Sequence, residues 1–178
     1  MSGWRPGDRR PDPASMLRVN QAGEYGATRI YAGQLAVLRR NAPESQLIAR
    51  MAAQEERHLK RFNTLMAERR VRPTALQPLW NIAGFALGAA TALMSEKAAL
   101  ACTDAVETEI DKHYAEQLEQ LGTDDPELAA DIVEFQAEEL EHRDTAREAG
   151  AAEAVGYPLL TAVIRAGCRM AIEASKRF

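Results

Sequence analysis

Two Glu-x-x-His pairs, Glu55/His58 and Glu139/His142, place metal-binding side chains at a spacing that lets them act together. Residues three apart on an α-helix share a face, so each pair offers one carboxylate and one imidazole to the same point. One helix face cannot encircle a cation, and neighbouring helices must complete the shell. A lone glutamate precedes each pair at a nearly equal interval, Glu24 before Glu55 and Glu107 before Glu139. Four carboxylates and two imidazoles in this order are the ligand set of a di-metal carboxylate site inside a four-helix bundle.

The apolar stripes place these groups inward. Glu24 shares a face with Leu17, Ala27, Tyr31, Leu35 and Leu38, and Glu107 with Leu100, Ile110, Tyr114 and Leu118. Glu55 and His58 align with Ile48, Met51, Phe62 and Met66; Glu139 and His142 follow Leu128, Ile132 and Phe135. Burying an unpaired charge costs several kcal/mol, and a pair of multivalent cations is the simplest compensation. Glu56, Glu109 and Glu138 fall off these stripes and are expected to face solvent.

The elements that must position the ligands are helices. Ala, Leu, Glu and Arg dominate the 178 residues, a composition that favours an all-α chain. The first fifteen residues, rich in Pro and Gly, read as a disordered lead without a signal-peptide or transit-peptide pattern. Residues 16–178 are expected to form a single domain. Helices are expected from about Ser15, a candidate N-cap, to Arg40; from Pro43 to about Arg70; from about Ser95 to Leu121, closed by Gly122; from Asp124-Asp125-Pro126 to Gly150; and from about Pro158 to Lys176. The first two make one hairpin and the next two another. The connection from Arg72 to Met94 is the long crossover of a ferritin-like four-helix bundle, and the last helix is additional.

Leu79 to Met94 contains no charge but is shorter than the roughly 20 apolar residues that span a bilayer. It reads either as a helix packed along the bundle or as an interfacial segment, with Trp80 at the interface and Arg69, Arg70 and Arg72 toward anionic headgroups. The amphipathic C-terminal helix offers the same alternatives, and either face is also suited to a homo-oligomer contact. A net charge of −4 with mixed signs gives no nucleic-acid footprint. Cys102 and Cys168 are isolated and read as buried free thiols in a reducing compartment.

Longer words surround the ligands: RVNQAGEYGATRIYAGQLAVL around Glu24, RPTALQPLWNIAGFALGAATAL in the crossover, ACTDAVE ending at Glu107, EELEHRD around His142, and AGCRMAI in the tail. From residue 16 to the end the chain resembles the demethoxyubiquinone hydroxylase family, di-iron monooxygenases of ubiquinone biosynthesis. The resemblance implies a ferritin-like fold and two iron ions on Glu24, Glu55, His58, Glu107, Glu139 and His142. It implies O2-dependent hydroxylation of the ring of a polyprenyl 6-methoxy-3-methyl-1,4-benzoquinol, with NADH or a similar donor supplying electrons. It further implies work at a membrane, on the cytoplasmic face of a bacterial inner membrane or the matrix side of the mitochondrial one, alongside other proteins of ubiquinone biosynthesis.

Within that frame Glu55/His58 hold one ion and Glu139/His142 the other, while Glu24 and Glu107 complete or bridge the pair, either being placed to do so. Tyr25 beside Glu24, or Tyr114 seven residues after Glu107, is placed to donate a hydrogen bond near the metal or the quinone, Tyr114 being equally suited to plain core packing. His113 lies off the ligand stripe, in a surface or supporting role. Trp80 and the apolar crossover are candidates for a prenyl channel or for core packing.

Overall fold

The computed structural model describes residues 12–178. Six α-helices carry the described chain: α1 (Pro13–Val37), α2 (Pro43–Arg69), α3 (Gln77–Met94), α4 (Glu96–Leu121), α5 (Pro126–Glu148) and α6 (Tyr157–Arg177), with a short 3-10 turn at Ala151–Glu153 before α6. No strand occurs among the described residues. The expected all-α bundle, with its apolar crossover helix and additional C-terminal helix, is the architecture found. Most of the proposed N-terminal lead, residues 1–11, lies outside the described part.

Local signals account for most helix ends. Pro43 and Pro126 open α2 and α5, where a missing N–H costs nothing. The side chains of Ser95 and Asp125 cap the free N–H groups of Ala98 and Leu128. Gly122 closes α4 at φ 53, a backbone region in which a Cβ is costly. The first helix starts earlier than expected: Asp12, not Ser15, is the N-cap, its carboxylate accepting from the Ser15 N–H, and Pro13 occupies the first turn. An Asp-Pro pair is the stronger start signal because it supplies both the cap and the pre-set φ.

Helices α1 and α2 form one hairpin, α4 and α5 the other, and α3 crosses between them lying against α1. The contact of α3 with α1 is backbone to backbone. A Cβ on Gly88 would sit 1.9 Å from the Ile30 carbonyl oxygen, and one on Gly33 would sit 2.2 Å from that of Phe85. Helix α6 lies on α4 and also touches α1. A cluster of ions fastens it there: Glu109 on α4 accepts from Arg165 at 2.8 Å and Arg169 at 3.1 Å, both on α6, and from its own neighbour Lys112. Glu109 is therefore buried, contrary to the solvated position expected from its helix phase; α6 covers that flank of α4.

Two apolar clusters bracket the middle of the bundle. One gathers Tyr31, Ile48, Met51 and Leu100; the other gathers Leu17, Phe62, Leu65, Leu128 and Ile132. The six ionisable residues sit between them.

Candidate metal centre

The structure brings all six together in the bundle interior. Glu24, Glu55, His58, Glu107, Glu139 and His142 are each at most 2% exposed. They form two overlapping quartets whose ligand atoms lie within 4.8 Å of one another: Glu24, Glu55, His58 and Glu139, and then Glu55, Glu107, Glu139 and His142. Glu55 and Glu139 are common to both. The groups shared between the two quartets are thus the glutamates of the Glu-x-x-His pairs, while Glu24 and Glu107 each belong to one quartet.

Both histidines turn Nδ1 inward. For His58 it lies 3.1 Å from Glu139 Oε1 and 3.5 Å from Glu24 Oε2; for His142 it lies 3.1 Å from Glu55 Oε1 and 3.3 Å from Glu139 Oε2. Both turn Nε2 outward to a fixed partner. His58 Nε2 is 2.7 Å from Glu138 Oε2, and His142 Nε2 is 2.9 Å from Gln54 Oε1. Glu138 was expected in solvent. It is instead held against His58 and Arg57, because the residue preceding an inward glutamate points along the seam between α2 and α5.

Two tyrosines cross between hairpins to orient the lone glutamates. Tyr31 on α1 donates to Glu107 Oε1 at 2.8 Å. Tyr114 on α4 donates a short hydrogen bond to Glu24 Oε1. Tyr31 was read only as core; the signal for it is that it follows Glu24 by the same seven residues that separate Glu107 from Tyr114. Tyr25 makes no hydrogen bond to the cluster and its side chain is half-buried. His113 likewise makes no hydrogen bond to the cluster, and it is buried rather than superficial. Its Nε2 meets the Gln117 amide nitrogen at 2.7 Å, and Gln117 is paired both ways with Asn20.

The electrostatics ask for cations. Burial first, then the charge of Glu139, pushes the carboxyls of Glu55 and Glu107 well above the usual range. Burial likewise raises Glu139. Burial is the largest single influence on Glu24 and opposes its ionisation, but hydrogen bonds with His58, Glu55 and Tyr114 and the charge of His58 together outweigh it and leave Glu24 below its ordinary value. Both oxygens of Glu55, one oxygen each of Glu24, Glu107 and Glu139, and Nδ1 of His142 are buried without a hydrogen-bond partner. Orphaned inward lone pairs are rare in folded proteins, and here they converge. Carboxylate and imidazole donors of this kind suit first-row transition metals.

Beside the centre, an apolar cavity of about 440 Å³ runs between α1, α3, α4 and α6. Its walls include Gly23 and Ala27, which flank Glu24, and Val106 and Ile110, which flank Glu107, together with Leu87, Val163 and Cys168. Trp80 is at this wall, and its Nε1 donates to Ser175 Oγ at 3.1 Å. Cys102 is a buried free thiol; Cys168, expected to be buried as well, is only partly so. Of the arginines assigned to headgroups, Arg69 is occupied, pairing with Asp125 and Glu127 at the start of α5.

A helical bundle with a paired Glu-x-x-His core has the donor arrangement of the buried carboxylate–imidazole metal sites of ferritin-like bundles. Comparison with known proteins narrows it. Residues 12–175 match the family described as ubiquinone biosynthesis protein COQ7, and the chain belongs to that family. It is similar to the 3-demethoxyubiquinol 3-hydroxylase of Rhodospirillum rubrum, with 53% identity over 97% of this chain and 82% of that protein. It is also 53% identical, over 92% of its length and 76% of the other's, to the mitochondrial NADPH-dependent 3-demethoxyubiquinone 3-hydroxylase of Mus musculus. The corresponding Homo sapiens protein is 50% identical over 91% of this chain and 76% of its own length.

Proposed function

We propose that this protein is an O2-dependent monooxygenase that hydroxylates the ring of a polyprenyl demethoxyubiquinol at a two-iron centre. One observation carries the reading: two overlapping ligand quartets, with unpartnered buried oxygens aimed between them, stand beside an apolar cavity. Glu24, Glu55, His58 and Glu139 would hold one ion, and Glu55, Glu107, Glu139 and His142 the other. Iron held there would offer open coordination for dioxygen and would pass on to it the electrons that the reductant supplies. The hydroxylase names of the close relatives support the same reaction.

The chain's own residues prepare the site. Tyr31 and Tyr114 fix one oxygen each of Glu107 and Glu24, leaving the other free. The apolar clusters above and below keep bulk water out, which strengthens every charge interaction within. The cavity between α1, α3, α4 and α6 suits a prenylated ring whose tail leaves past Trp80 and Leu87. A nicotinamide nucleotide is the reductant in this reading; NADH is the general expectation, and the mitochondrial relatives are named for NADPH. Among the described residues no helix is long and apolar enough to cross a membrane; in this reading a tailed substrate is met at the membrane surface. That surface is the cytoplasmic face of a bacterial inner membrane or its mitochondrial equivalent, and other ubiquinone-biosynthesis proteins or a second copy of the chain are the expected partners.

The test supplies iron, NADH or NADPH, isotopically labelled O2 and a short-chain demethoxyquinone. Mass spectrometry should find one labelled oxygen atom on the ring. Quinol consumption without an oxygenated product would make the protein a quinol oxidase. Iron mineral formed without any quinone requirement would make it a storage protein. Glu139→Ala should abolish product while the helical circular-dichroism signal persists.

A further inference from the structure

The centre has an internal two-fold pseudosymmetry. Glu24 and Tyr31 on α1 match Glu107 and Tyr114 on α4, and Glu55 and His58 on α2 match Glu139 and His142 on α5. Each tyrosine crosses to the lone glutamate of the other hairpin. Each histidine sends Nδ1 to the centre and Nε2 to the residue just before the shared glutamate of the other hairpin.

At that last position the match fails. His58 Nε2 meets the carboxylate of Glu138 at 2.7 Å, whereas His142 Nε2 meets the neutral amide of Gln54 at 2.9 Å. Arg57 holds Glu138 by donating from Nη2 to both carboxylate oxygens, at 3.1 and 2.9 Å. The ion pair with Arg57 thus holds the Glu138 carboxylate against the ring. The Arg57 side chain is 56% exposed, so water screens its charge from the centre.

The chemical consequence follows from hydrogen-bond strength. A bond to an ionised acceptor is roughly twice as strong as a neutral one. An imidazole whose outer N–H is drawn toward a carboxylate becomes a stronger donor at its other nitrogen. The remaining members of the two quartets do not offset this, since Glu55 and Glu139 are shared and Glu24 and Glu107 each carry one tyrosine hydrogen bond.

We propose that Glu138 is a positioning residue that makes the two cation positions unequal, so that the quartet containing His58 takes its ion more tightly, and first, than the quartet containing His142. The inference rests on the two-ion reading given above. It gives the centre a direction: the polarising carboxylate lies on the α2–α5 side, and the apolar cavity lies on the side of α1 and α4.

Cobalt(II) is a suitable probe, because its visible absorption reports coordination without turnover. The full-length protein, Glu138→Gln and Gln54→Glu are titrated with Co(II) against a competing chelator, with circular dichroism to follow helix content. The unsubstituted protein should fill in two unequal steps. Glu138→Gln should weaken the tighter step by about 10- to 100-fold and bring the steps together. Gln54→Glu should also bring them together, but by tightening the weaker step. A residue that only supports the fold would weaken both steps alike when changed, and its counterpart would gain nothing. Equal steps in the unsubstituted protein, equal losses at both steps in Glu138→Gln, or no tightening in Gln54→Glu would each overturn the proposal. If Glu138→Gln does not fold, Gln54→Glu decides alone. Uptake of fewer than two ions by the unsubstituted protein would refute the two-ion centre itself, and this inference with it.

Discussion

The phenol of Tyr31 donates a 2.8 Å hydrogen bond to Oε1 of Glu107 across the interface between the two hairpins. Its mirror, Tyr114, does the same for Glu24. Burial first, and then the facing glutamate, pushes both phenols well above their ordinary range, so they remain protonated donors. Each consumes one carboxylate oxygen and leaves the other to face the centre. A pair of hydrogen bonds between hairpins therefore fixes the two lone glutamates and ties the halves of the bundle together.

Tyr31→Phe removes the donor and keeps the ring. Outer partners of metal ligands typically contribute about 10- to 100-fold to metal affinity or activity. We expect Tyr31→Phe to lose about that much in turnover of a demethoxyquinol and in affinity at the quartet containing Glu107, with helix content unchanged. Elemental analysis after dialysis, beside product yield, checks it; full metal content and normal turnover would mean that the hydroxyl does not hold Glu107.

All six residues of the candidate centre were legible in the sequence because their signal is local. The i,i+3 spacing and the apolar phase of each helix depend only on the chain's own geometry. What escaped was set between helices. Tyr31 reaches Glu107 only once α1 and α4 are in register, and Glu138 reaches His58 only across α2 and α5. Glu109 is buried only because α6 brings Arg165 and Arg169 to it. The sharing of Glu55 and Glu139 was missed for the same reason: periodicity tells which way a side chain faces, not how far its helix stands from the common axis.

The glycines at the α1–α3 contact make a second prediction. In Gly88→Ala the new methyl would lie 1.9 Å from the carbonyl oxygen of Ile30, and neither backbone can yield without separating the helices. Overpacking of this kind costs about 1–3 kcal/mol. Because Gly84 and Leu87 on the same helix line the cavity, the shift should also raise KM for a quinone analogue. Gly26→Ala, whose methyl meets nothing within 4 Å, should be neutral or slightly stabilising. Urea unfolding of the two variants makes the comparison; equal stability would show that α3 moves freely against α1.

His113 gives a pH-dependent term separate from the metal ligands. Burial, and then the charge of Lys176, pushes its imidazole down to about 4, with Glu173 opposing. Neutral Nε2 is also the acceptor that the Gln117 amide requires. The folded state binds its proton less readily than the unfolded chain, whose imidazole titrates near 6.5. The stability it contributes is thus complete above pH 6.5 and drains away as pH falls toward 4. The loss over that window is about 1–3 kcal/mol. Denaturation at several pH values should find His113→Gln less sensitive than the unsubstituted protein by that amount. Parallel curves would place the acid sensitivity elsewhere.

The last prediction concerns how a tailed quinol would reach the cavity. Helices α3 and α6 both line it, and both leave large apolar side chains in solvent: Ile82 is 72% exposed on α3 and Leu159 72% on α6. Neither helix is apolar enough to cross a bilayer, so contact would be with the surface of one leaflet. Burying one such side chain gains about 1.5–3 kcal/mol, which corresponds to roughly 10- to 100-fold in partitioning. Ile82→Asp and Leu159→Asp should each reduce co-sedimentation with phosphatidylglycerol-containing vesicles by about that factor. Both should leave turnover of a water-soluble, short-chain quinol intact, since neither residue lines the cavity. Val133→Asp supplies the control, because Val133 is 55% exposed on α5, away from the cavity helices. Equal losses in all three variants would assign vesicle binding to general stickiness, and no loss in any would remove α3 and α6 as the docking face. A drop confined to Ile82→Asp and Leu159→Asp would put the cavity mouth against the lipid, where a long prenyl tail never has to leave an apolar medium.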